Sequence, residues 1–356
     1  MIKKYYINGR FLEYPITGVQ RYSMMLTSTL DQLLSSGELD SSTTETTCLI
    51  PKRTERKPNW TWIRSERIGR FSGNLWEQIE LPLYVSDGTL FSPANVGPFF
   101  VSGQAITIHD ASVFAVPEAY SFAFRLKYKL LLKHLGKTSK IIITDSHFSK
   151  SELVKYCQID PQKIEVVYPG HEHILSIQPD ENILDQYSLR DKGFLLFVGS
   201  QSQHKNLQTL LSALKLINNQ DLILVIAGGK YEKVFKDQQN EMPANVIDIG
   251  YITDPELCAL YKNAKALIFP SKYEGFGFPV LEALAMNCPV ICSNSASLPE
   301  VGGDFAHYFD PMKPAQLAEL INETPQQKKD YALQSHLQNF SWENCAQKVW
   351  NLLTEQ

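Results

Sequence analysis

The chain has 356 residues, of which 44% are hydrophobic and 20% are charged, and its formal net charge is −4. This length exceeds the usual size of a single hydrophobic core, so two domains are expected. The acidic balance and the lack of interleaved basic and aromatic residues exclude nucleic acid as an expected partner.

The sequence predicts a cytoplasmic protein. No apolar run approaches the roughly 18 residues of a membrane helix, and the first ten residues, MIKKYYINGR, lack the apolar core of a secretory signal. The six cysteines are scattered along the chain. We therefore expect them to be reduced, structural thiols.

Short apolar runs alternate with amphipathic segments, which is typical of β-α-β units and parallel sheets. In chain order, the predicted strands of the first half are YYING, TCLIP, TLFSP, AITIHD, KIIITDS and KIEVVYP. Those of the second half are GFLLFVGS, DLILVIAGG, NVIDIGY, AKALIFPS and CPVICSN. The second-half strands lack polar alternation, as expected for a sheet covered by helices on both faces. The pattern predicts two doubly wound α/β domains.

The domain boundary is predicted within residues 171–193, where apolar periodicity weakens and Pro, Asp and Gly accumulate. The two domains and a closing helix are assigned to residues 1–175, 176–338 and 339–356. Ser341 is the predicted N-cap of this helix, and its apolar face would consist of Trp342, Ala346, Val349 and Leu353. This face can pack on either domain, and a return to the first is one of the two arrangements.

Charge is distributed unevenly along the chain. Residues 1–170 contain 20 Lys and Arg against 16 Asp and Glu, whereas the remainder contains 14 against 22. The densest basic segment, Arg125 to Lys140, has six basic residues at helical spacing beside an apolar stripe. Two interpretations stay open: peripheral contact with an anionic membrane, or an ordinary surface helix whose leucines face the core.

Three glycine-containing stretches lie between predicted strands and helices, where backbone amides and the helix dipole favour an anion. The first contains Thr17, a predicted N-cap, and Gly18. The second is FVGSQSQHKNL, in which Gly199 ends a strand and Lys205 is placed to meet a diphosphate. The third is EGFGFPVLE, residues 274–282. Each glycine alone indicates only a turn, and no stretch has the full GxGxxG pattern of a nicotinamide-binding site.

His109 and Asp110 end the predicted strand AITIHD, and ligands of parallel sheets bind at the carboxyl ends of strands. A neutral histidine there can donate a hydrogen bond to a sugar hydroxyl or to a developing charge. Asp110 can either fix the tautomer of His109 or cap the next turn. Both roles stay open.

Together these motifs resemble the GT-B-fold retaining glycosyltransferases of family 4, over nearly the whole chain. TGVQRY resembles the glycine loop, ITIHDASVFAVPEAYS the histidine motif, FVGSQSQHKNL the diphosphate loop and EGFGFPVLEALAMNCPVICSN the paired-glutamate motif. TDSHFSKSEL, KIEVVYPG, SLPEVGGDFAHYFDP and FSWENCAQKVW follow in the expected order. INGRFLEYPITGVQRY, LWEQIELP and FSPANVGP further resemble bacterial surface-polysaccharide mannosyl- and rhamnosyltransferases.

The resemblance implies two Rossmann-like domains facing across a deep cleft, the first binding the acceptor and the second the nucleotide sugar. The implied activity is a retaining transfer of a hexose, with mannose or rhamnose favoured, to a glycan or polyprenyl-linked acceptor in O-antigen or capsule synthesis. GDP-mannose is the favoured donor, with UDP- and dTDP-sugars as alternatives. No cofactor or divalent metal is implied, and the location would be the cytoplasm or the inner face of the cell membrane. A non-catalytic GT-B subunit that binds nucleotide or glycan beside a partner enzyme is the alternative function.

The resemblance also implies roles for individual residues. His109 would position the transferred sugar, Lys205 would neutralise the leaving diphosphate, and Glu274 would hold a hydroxyl of the donor sugar. Glu282 would accept hydrogen bonds from the two ribose hydroxyls, and Gly18 would leave room for phosphate or acceptor. The other implied donor-binding residues are Gly199, Ser200, His204, Tyr251, Gly275, Phe276, Gly277 and Phe278. The two glutamates would do separate binding jobs, unlike the paired carboxylates of glycosidases.

One feature departs from the family pattern. The family commonly has an arginine just after the loop glycine or directly before the lysine, where this chain has Ser200 and His204. Two explanations stay open: Lys205 with a partly protonated His204 suffices, or another basic residue, Lys230 or Arg21, reaches the site.

Overall fold

The fold is that of a computed structural model, which describes residues 2–190, 192–229, 243–323 and 331–355. The chain divides into two compact units, one formed by Met1–Gly170 with Phe340–Gln356 and the other by His171–Asn339. The boundary predicted after residue 175 falls at the end of a short helix that belongs to the second unit.

The first unit is built on a parallel sheet with the strand order β3-β2-β1-β4-β5-β6-β7. Its strands are β1 Lys3–Asn8, β2 Thr44–Pro51, β3 Arg64–Ile68, β4 Thr89–Ser92, β5 Ala105–Thr107, β6 Ile141–Thr144 and β7 Ile164–Val166. In the register of the sheet, Ile7 lies opposite Cys48 on one side and Phe91 on the other. Every residue of β6 is buried, as expected for a central strand covered on both faces.

Helices connect these strands. They are α1 Gly18–Ser36, α2 Gly73–Leu75, α3 Ser112–Ala115, α4 Phe122–Thr138 and α5 His147–Cys157. A π-helical turn, Trp76–Glu80, continues α2, and short 3-10 turns cover Gly9–Glu13, Leu81–Tyr84, Pro117–Ala119 and Pro161–Lys163. The core between α4, α5 and the sheet contains Ile106, Leu135 and Leu153.

The second unit has its own parallel sheet, with the order β10-β9-β8-β11-β12-β13. The strands are β8 Phe194–Val198, β9 Ile223–Ala227, β10 Val246–Gly250, β11 Ala266–Phe269, β12 Val290–Ser293 and β13 Ala306–Phe309. The helices are α6 Glu172–Leu175, α7 Asn182–Gln186, α8 Leu207–Ile217, α9 Asp254–Asn263, α10 Phe278–Ala285, α11 Leu298–Gly302, α12 Pro314–Glu323 and α13 Tyr331–Leu337. Short 3-10 turns cover Gln203–Lys205 and Gly303–Phe305. Phe197, Leu210 and Leu317 belong to its core.

The closing helix, α14 Trp342–Thr354, is part of the first unit and packs on α1. As predicted, Ser341 caps it, accepting a hydrogen bond from the Asn344 amide at 3.4 Å. The four residues of its predicted apolar face are all buried. The rings of Tyr22 and Trp342 lie 6.0 Å apart, which fixes the helix against α1.

The predicted cap of α1 is wrong in detail. Thr17 occupies the N-cap position with an extended backbone, but its side chain makes no capping hydrogen bond. Its hydroxyl donates instead to the Gln20 side-chain oxygen. The helix ends, as glycine permits, at Gly37 in the left-handed conformation (φ 80°).

The prediction of two doubly wound α/β domains is confirmed. The structure adds β3 and β13, which the sequence analysis did not predict, at one edge of each sheet. All six cysteines are buried thiols, as expected, and burial raises the pKa of Cys157 and Cys288 to about 12. In the part of the chain that the structure describes, no helix combines the length and apolar character needed to cross a membrane.

Candidate functional site

The sheet of the second unit reverses its order between β8 and β11. Ligands of open parallel sheets bind beyond the carboxyl ends of the strands at such a point of reversal. The FVGSQSQHKNL loop leaves β8 and the EGFGFPVLE loop follows β11. The topology therefore brings two of the predicted motifs to the same edge of the sheet.

Lys205 and Glu274, one from each loop, meet at this edge. The Nζ atom of Lys205 donates a hydrogen bond to Oε1 of Glu274 at 2.7 Å. Their side chains keep 17% and 13% of their surface exposed, and Nζ lies 5.2 Å from the centre of the Phe269 ring. The pair is therefore largely shielded from water, and charge interactions in such a shielded site are stronger than at an open surface. The part that stays exposed leaves the pair accessible to a ligand.

Asn206 holds the lysine loop in place. Its backbone has φ 58°, a left-handed conformation that asparagine tolerates better than most residues. The buried side-chain amide donates to the carbonyl oxygens of Pro270 at 3.0 Å and Pro311 at 2.9 Å. The Lys272 amide also donates to the His204 carbonyl oxygen at 2.8 Å. These bonds tie the loop after β8 to the loops after β11 and β13.

The EGFGFPVLE loop is also held by Ser297, which was not predicted as a site residue. Its hydroxyl hydrogen-bonds the backbone oxygens of Glu274 at 3.0 Å and Phe276 at 2.6 Å. The rings of Phe276 and Phe278 lie 5.3 Å apart. Pro279 lies in the first turn of α10. Gly275 is half-buried in this loop.

Glycine is required at two of the predicted positions. Gly277 has φ 113°, and a Cβ atom there would lie 2.7 Å from the Leu298 side chain. Gly199, at the end of β8, has φ 147°, which L-residues rarely adopt. Both glycines therefore let the backbone turn sharply at the sheet edge, where it can approach a ligand closely.

Glu282, the second acid of the motif, lies on α10 with only 3% of its surface exposed. Its Oε1 atom lies 3.0 Å from Nε2 of His173, and its Oε2 atom accepts from the Tyr261 hydroxyl at 3.1 Å. Neither His173 nor Tyr261 was predicted as a site residue. Glu274 and Glu282 therefore have different partners and different surroundings.

Three further predicted donor-binding residues lie after β8 and β10. Ser200 is exposed, and its hydroxyl lies 3.1 Å from that of Ser202, which in turn lies 3.4 Å from Nε2 of His204. Tyr251, just after β10, is 71% exposed.

Of the two basic residues proposed to replace the family arginine, Arg21 lies on α1 in the first unit, and Lys230 lies outside the described residues.

The first unit contains the other two predicted residues. Its sheet also reverses order, between β1 and β4. Gly18 is the exposed first residue of α1, and His109 lies just beyond β5, buried. The His109 amide donates to Oδ1 of Asn95 at 2.8 Å, and its ring meets the Tyr22 ring edge-on at 4.7 Å.

Asp145, not Asp110, holds the His109 ring. Nδ1 of His109 lies 2.5 Å from Oδ2 of Asp145, so Nδ1 carries the proton that the carboxylate accepts. Asp110 takes the second role left open for it: its Oδ1 accepts from the Ser112 amide at 2.8 Å and caps the turn. Asp145 could have been found from its place at the end of the neighbouring strand, since Thr107 pairs with Ile143.

The pKa of His109 results from opposing effects. Burial disfavours the charged ring and lowers the pKa. Asp145 raises the pKa through its charge and its hydrogen bond, and the charge of Asp110 and the Pro93 carbonyl raise it further. These effects outweigh that of burial, so the pKa of His109 lies above its ordinary value. Across the described ranges, no three His, Cys, Asp or Glu side chains are grouped as a metal site would require.

Residues 180–336, most of the second unit, match the family described as glycosyl transferases group 1. The chain therefore contains a glycosyl transferases group 1 domain, and this domain includes Lys205, Glu274 and Glu282. The resemblance to glycosyltransferases inferred from the sequence is confirmed.

Among curated proteins, the chain is 27% identical over 380 residues to O-antigen chain mannosyltransferase B of Escherichia coli, covering 96% of each. It is 29% identical over 257 residues to O-antigen chain mannosyltransferase RfbU of Salmonella typhimurium, covering 71% of this chain and 69% of the relative. Among solved structures, Anabaena HepE in complex with UDP-glucose has the same fold, with a TM-score of 0.71, 14% identity and full coverage of both chains.

Proposed function

We propose that this protein is a metal-independent, retaining glycosyltransferase that moves a hexose from a nucleotide diphosphate sugar to a glycan or polyprenyl-linked acceptor. The observation that carries the proposal is the contact of Lys205 with Glu274 at the reversal point of the second sheet. A lysine and a carboxylate side by side suit a nucleotide sugar, because the lysine can bind its diphosphate and the carboxylate can bind its sugar hydroxyls.

The chemistry proposed for the second unit is the one that the family resemblance implies, and the charges of its residues support it. Lys205 stabilises the negative charge that grows on the diphosphate as the glycosidic bond breaks. Glu274 accepts a hydrogen bond from a donor-sugar hydroxyl, and Glu282 accepts from the ribose. The backbone amides from Gly275 to Phe278 meet the sugar and diphosphate. Gly199, Ser200, His204 and Tyr251 complete the proposed donor contacts.

The separate surroundings of the two glutamates support separate binding roles. Glu274 pairs with Lys205, whereas Glu282 pairs with His173 and Tyr261. A glycosidase-like acid and base would need two carboxylates flanking one bond. We therefore propose a front-side attack in which an oxygen of the leaving phosphate takes the proton of the acceptor hydroxyl. Lys205 and the backbone amides supply the positive charge that other enzymes obtain from a metal.

The first unit is proposed to bind the acceptor. There His109, oriented by Asp145, positions the transferred sugar, and Gly18 leaves room beside the first turn of α1. The names of the E. coli and Salmonella relatives favour mannose as the sugar and O-antigen synthesis as the process. GDP-mannose is thus the favoured donor, with UDP- and dTDP-sugars as alternatives, and the proposed location is the cytoplasm or the inner face of the cell membrane.

The test is donor turnover by the purified chain, in EDTA, with GDP-mannose, a UDP-sugar or a dTDP-sugar and a lipid-linked acceptor. We expect Lys205→Ala and Glu274→Ala each to lower kcat by about 10²-fold or more, as removal of a charge-stabilising group does in other enzymes. Lys313→Ala is the matched control, because it removes an exposed lysine whose partner, Asp310, is also solvent-accessible.

Wild-type rates in both site variants would show that the Lys205–Glu274 assignment is wrong. Loss of activity in EDTA that added metal restores would contradict metal independence. Nucleotide release by the single purified chain would eliminate the alternative of a non-catalytic subunit, which the contact between Lys205 and Glu274 does not favour.

A further inference from the structure

Glu282 is held by two buried side chains from different helices. His173 lies on α6 and Tyr261 on α9. Their exposed fractions are 6% and 0%, against 3% for Glu282. A carboxylate this deeply buried is costly unless polar groups compensate it. The three side chains therefore form one polar cluster, which we call the Glu282 cluster.

Each carboxylate oxygen of Glu282 has its own donor. Nε2 of His173 lies 3.0 Å from Oε1, and the Tyr261 hydroxyl donates to Oε2 at 3.1 Å. Because a carboxylate only accepts, Nε2 of His173 must carry the proton. Two donors on two oxygens fix the rotation of the carboxylate plane, which a single donor would leave free.

The cluster is also coupled to the loop of the candidate site. The His173 ring meets the Phe278 ring edge-on at 6.3 Å, and Phe278 contacts Phe276. Ser297 holds the backbone of the same loop at Glu274 and Phe276. Thus His173 touches both the second glutamate and the loop that presents the first.

We propose that His173 and Tyr261 are positioning residues that orient the Glu282 carboxylate toward the ribose hydroxyls of the donor nucleotide. The inference rests on the proposed function, since it assumes that Glu282 meets a ribose. A carboxylate has room for about four hydrogen bonds, so donors from His173 and Tyr261 do not by themselves prevent Glu282 from accepting from ligand hydroxyls. Supporting residues of this kind hold a binding group within the narrow tolerance that recognition needs.

The experiment compares ribose with deoxyribose. The dissociation constants of GDP and 2′-deoxy-GDP, and of UDP and 2′-deoxy-UDP, are measured by calorimetry for the wild type and for variants. A hydroxyl that bonds to a carboxylate should make the ribose form bind roughly tenfold or more tightly in the wild type. His173→Leu and Tyr261→Phe should each bring this ratio close to one, while His173→Gln, which keeps a donor, should restore part of it.

His336→Gln is the matched control. His336 is a half-buried histidine of the same unit whose Nε2 atom bonds the Val301 carbonyl oxygen at 2.8 Å. The ribose preference should be unchanged in this variant. Thermal unfolding of each protein, recorded beside the titrations, separates loss of fold from loss of recognition.

The outcomes distinguish this inference from the proposed function. If the wild type binds GDP or UDP without preferring the ribose form, or binds neither, Glu282 does not meet a ribose and this inference is overturned, whereas the proposed function is tested separately by the turnover assay. If the wild type prefers ribose and the His173 and Tyr261 variants keep that preference, only the positioning role is overturned. Equal weakening of the ribose and deoxyribose forms would likewise show that the two side chains are structural and do not orient Glu282 for recognition.

Discussion

At the scale of single residues, His109 shows how a chemically important partner can be absent from the local sequence. The adjacent acid, Asp110, caps a turn, whereas the partner, Asp145, lies 36 positions further along the chain. The pairing arises because β5 and β6 are neighbours in register. In a parallel sheet, residues at corresponding strand ends meet however long the connection between them is.

The raised pKa of His109 predicts a pH-dependent contribution to stability. The folded protein holds this proton more tightly than the unfolded chain, so the contribution is full below the unfolded pKa of about 6.5 and is lost as the pH rises through the folded pKa. We expect the stability difference between the wild type and Asp145→Asn to shrink with rising pH. Urea denaturation between pH 6 and 9 measures it.

The same variants allow a direct titration of the ring by NMR. The pKa of His109 should fall in Asp145→Asn, because the carboxylate that offsets the effect of burial is then absent. It should fall less in Asp110→Asn, because the charge of Asp110 raises the pKa more weakly than that of Asp145. A stability difference that stayed constant or grew with pH would contradict this account of the pair.

At the scale of elements, three of the motifs that resemble surface-polysaccharide enzymes are linked by one buried network. Asn8 at the end of β1 donates to Glu77 at 2.8 Å and lies 3.3 Å from the Ser92 hydroxyl at the end of β4. Glu77 lies in the π-helical turn and is 3.1 Å from Arg10, which also bonds Asn74. This network joins the two strands at which the first sheet reverses its order.

Removing the acid of this network should destabilise the first unit strongly. Glu77→Ala leaves the nearly buried Arg10 guanidinium without its counter-charge, and breaking a buried ion pair in this way typically costs about 3–5 kcal/mol. We expect a clear decrease in the urea midpoint of unfolding. The first-unit control is Asp87→Ala, which breaks the solvent-exposed pair with Lys4 and should change the midpoint little. Equal effects of the two variants would refute the structural role of the network.

The basic helix α4 has features that suit each of the two interpretations that its sequence left open. Its second half packs into the core through Leu131, Leu132 and Leu135, whereas its first half exposes Phe122, Leu126 and Leu130. Basic side chains lie beside this apolar surface, including those of Lys129 and Lys133 over the Phe114 ring. Exposed apolar and basic groups together suit an anionic membrane surface.

We therefore expect the protein to float with anionic liposomes, and Gln substitutions of Lys129, Lys133 and Lys137 to reduce binding. Each lysine near an anionic surface contributes about 1 kcal/mol, so the triple variant should bind roughly 10²-fold less tightly. The control replaces three exposed lysines of the second unit, Lys215, Lys262 and Lys313, with the same change in net charge. Equal flotation of the two triple variants would exclude a membrane role for α4.

At the scale of the whole molecule, the strands of both sheets were predictable except for one edge strand in each. The strand β3, RSERI, is polar and mostly exposed, and β13, AHYF, is short and half-covered. Neither has the continuous apolar run that identifies the central strands, because an edge strand pairs on one side and needs charge or irregularity on the other. Their pairing with β2 and β12 fixes them as strands.

The sequence by itself determined the repeated β-α-β pattern, the motifs at the strand ends and the identity of Lys205, Glu274 and Glu282 as site candidates. These are properties of contiguous segments, set by periodicity, turn residues and residue chemistry. Only the tertiary structure decided which atoms meet: Lys205 with Glu274 across 69 positions, and His173 with Glu282 across 109. Such contacts depend on sheet order and helix packing, which no short stretch of sequence specifies.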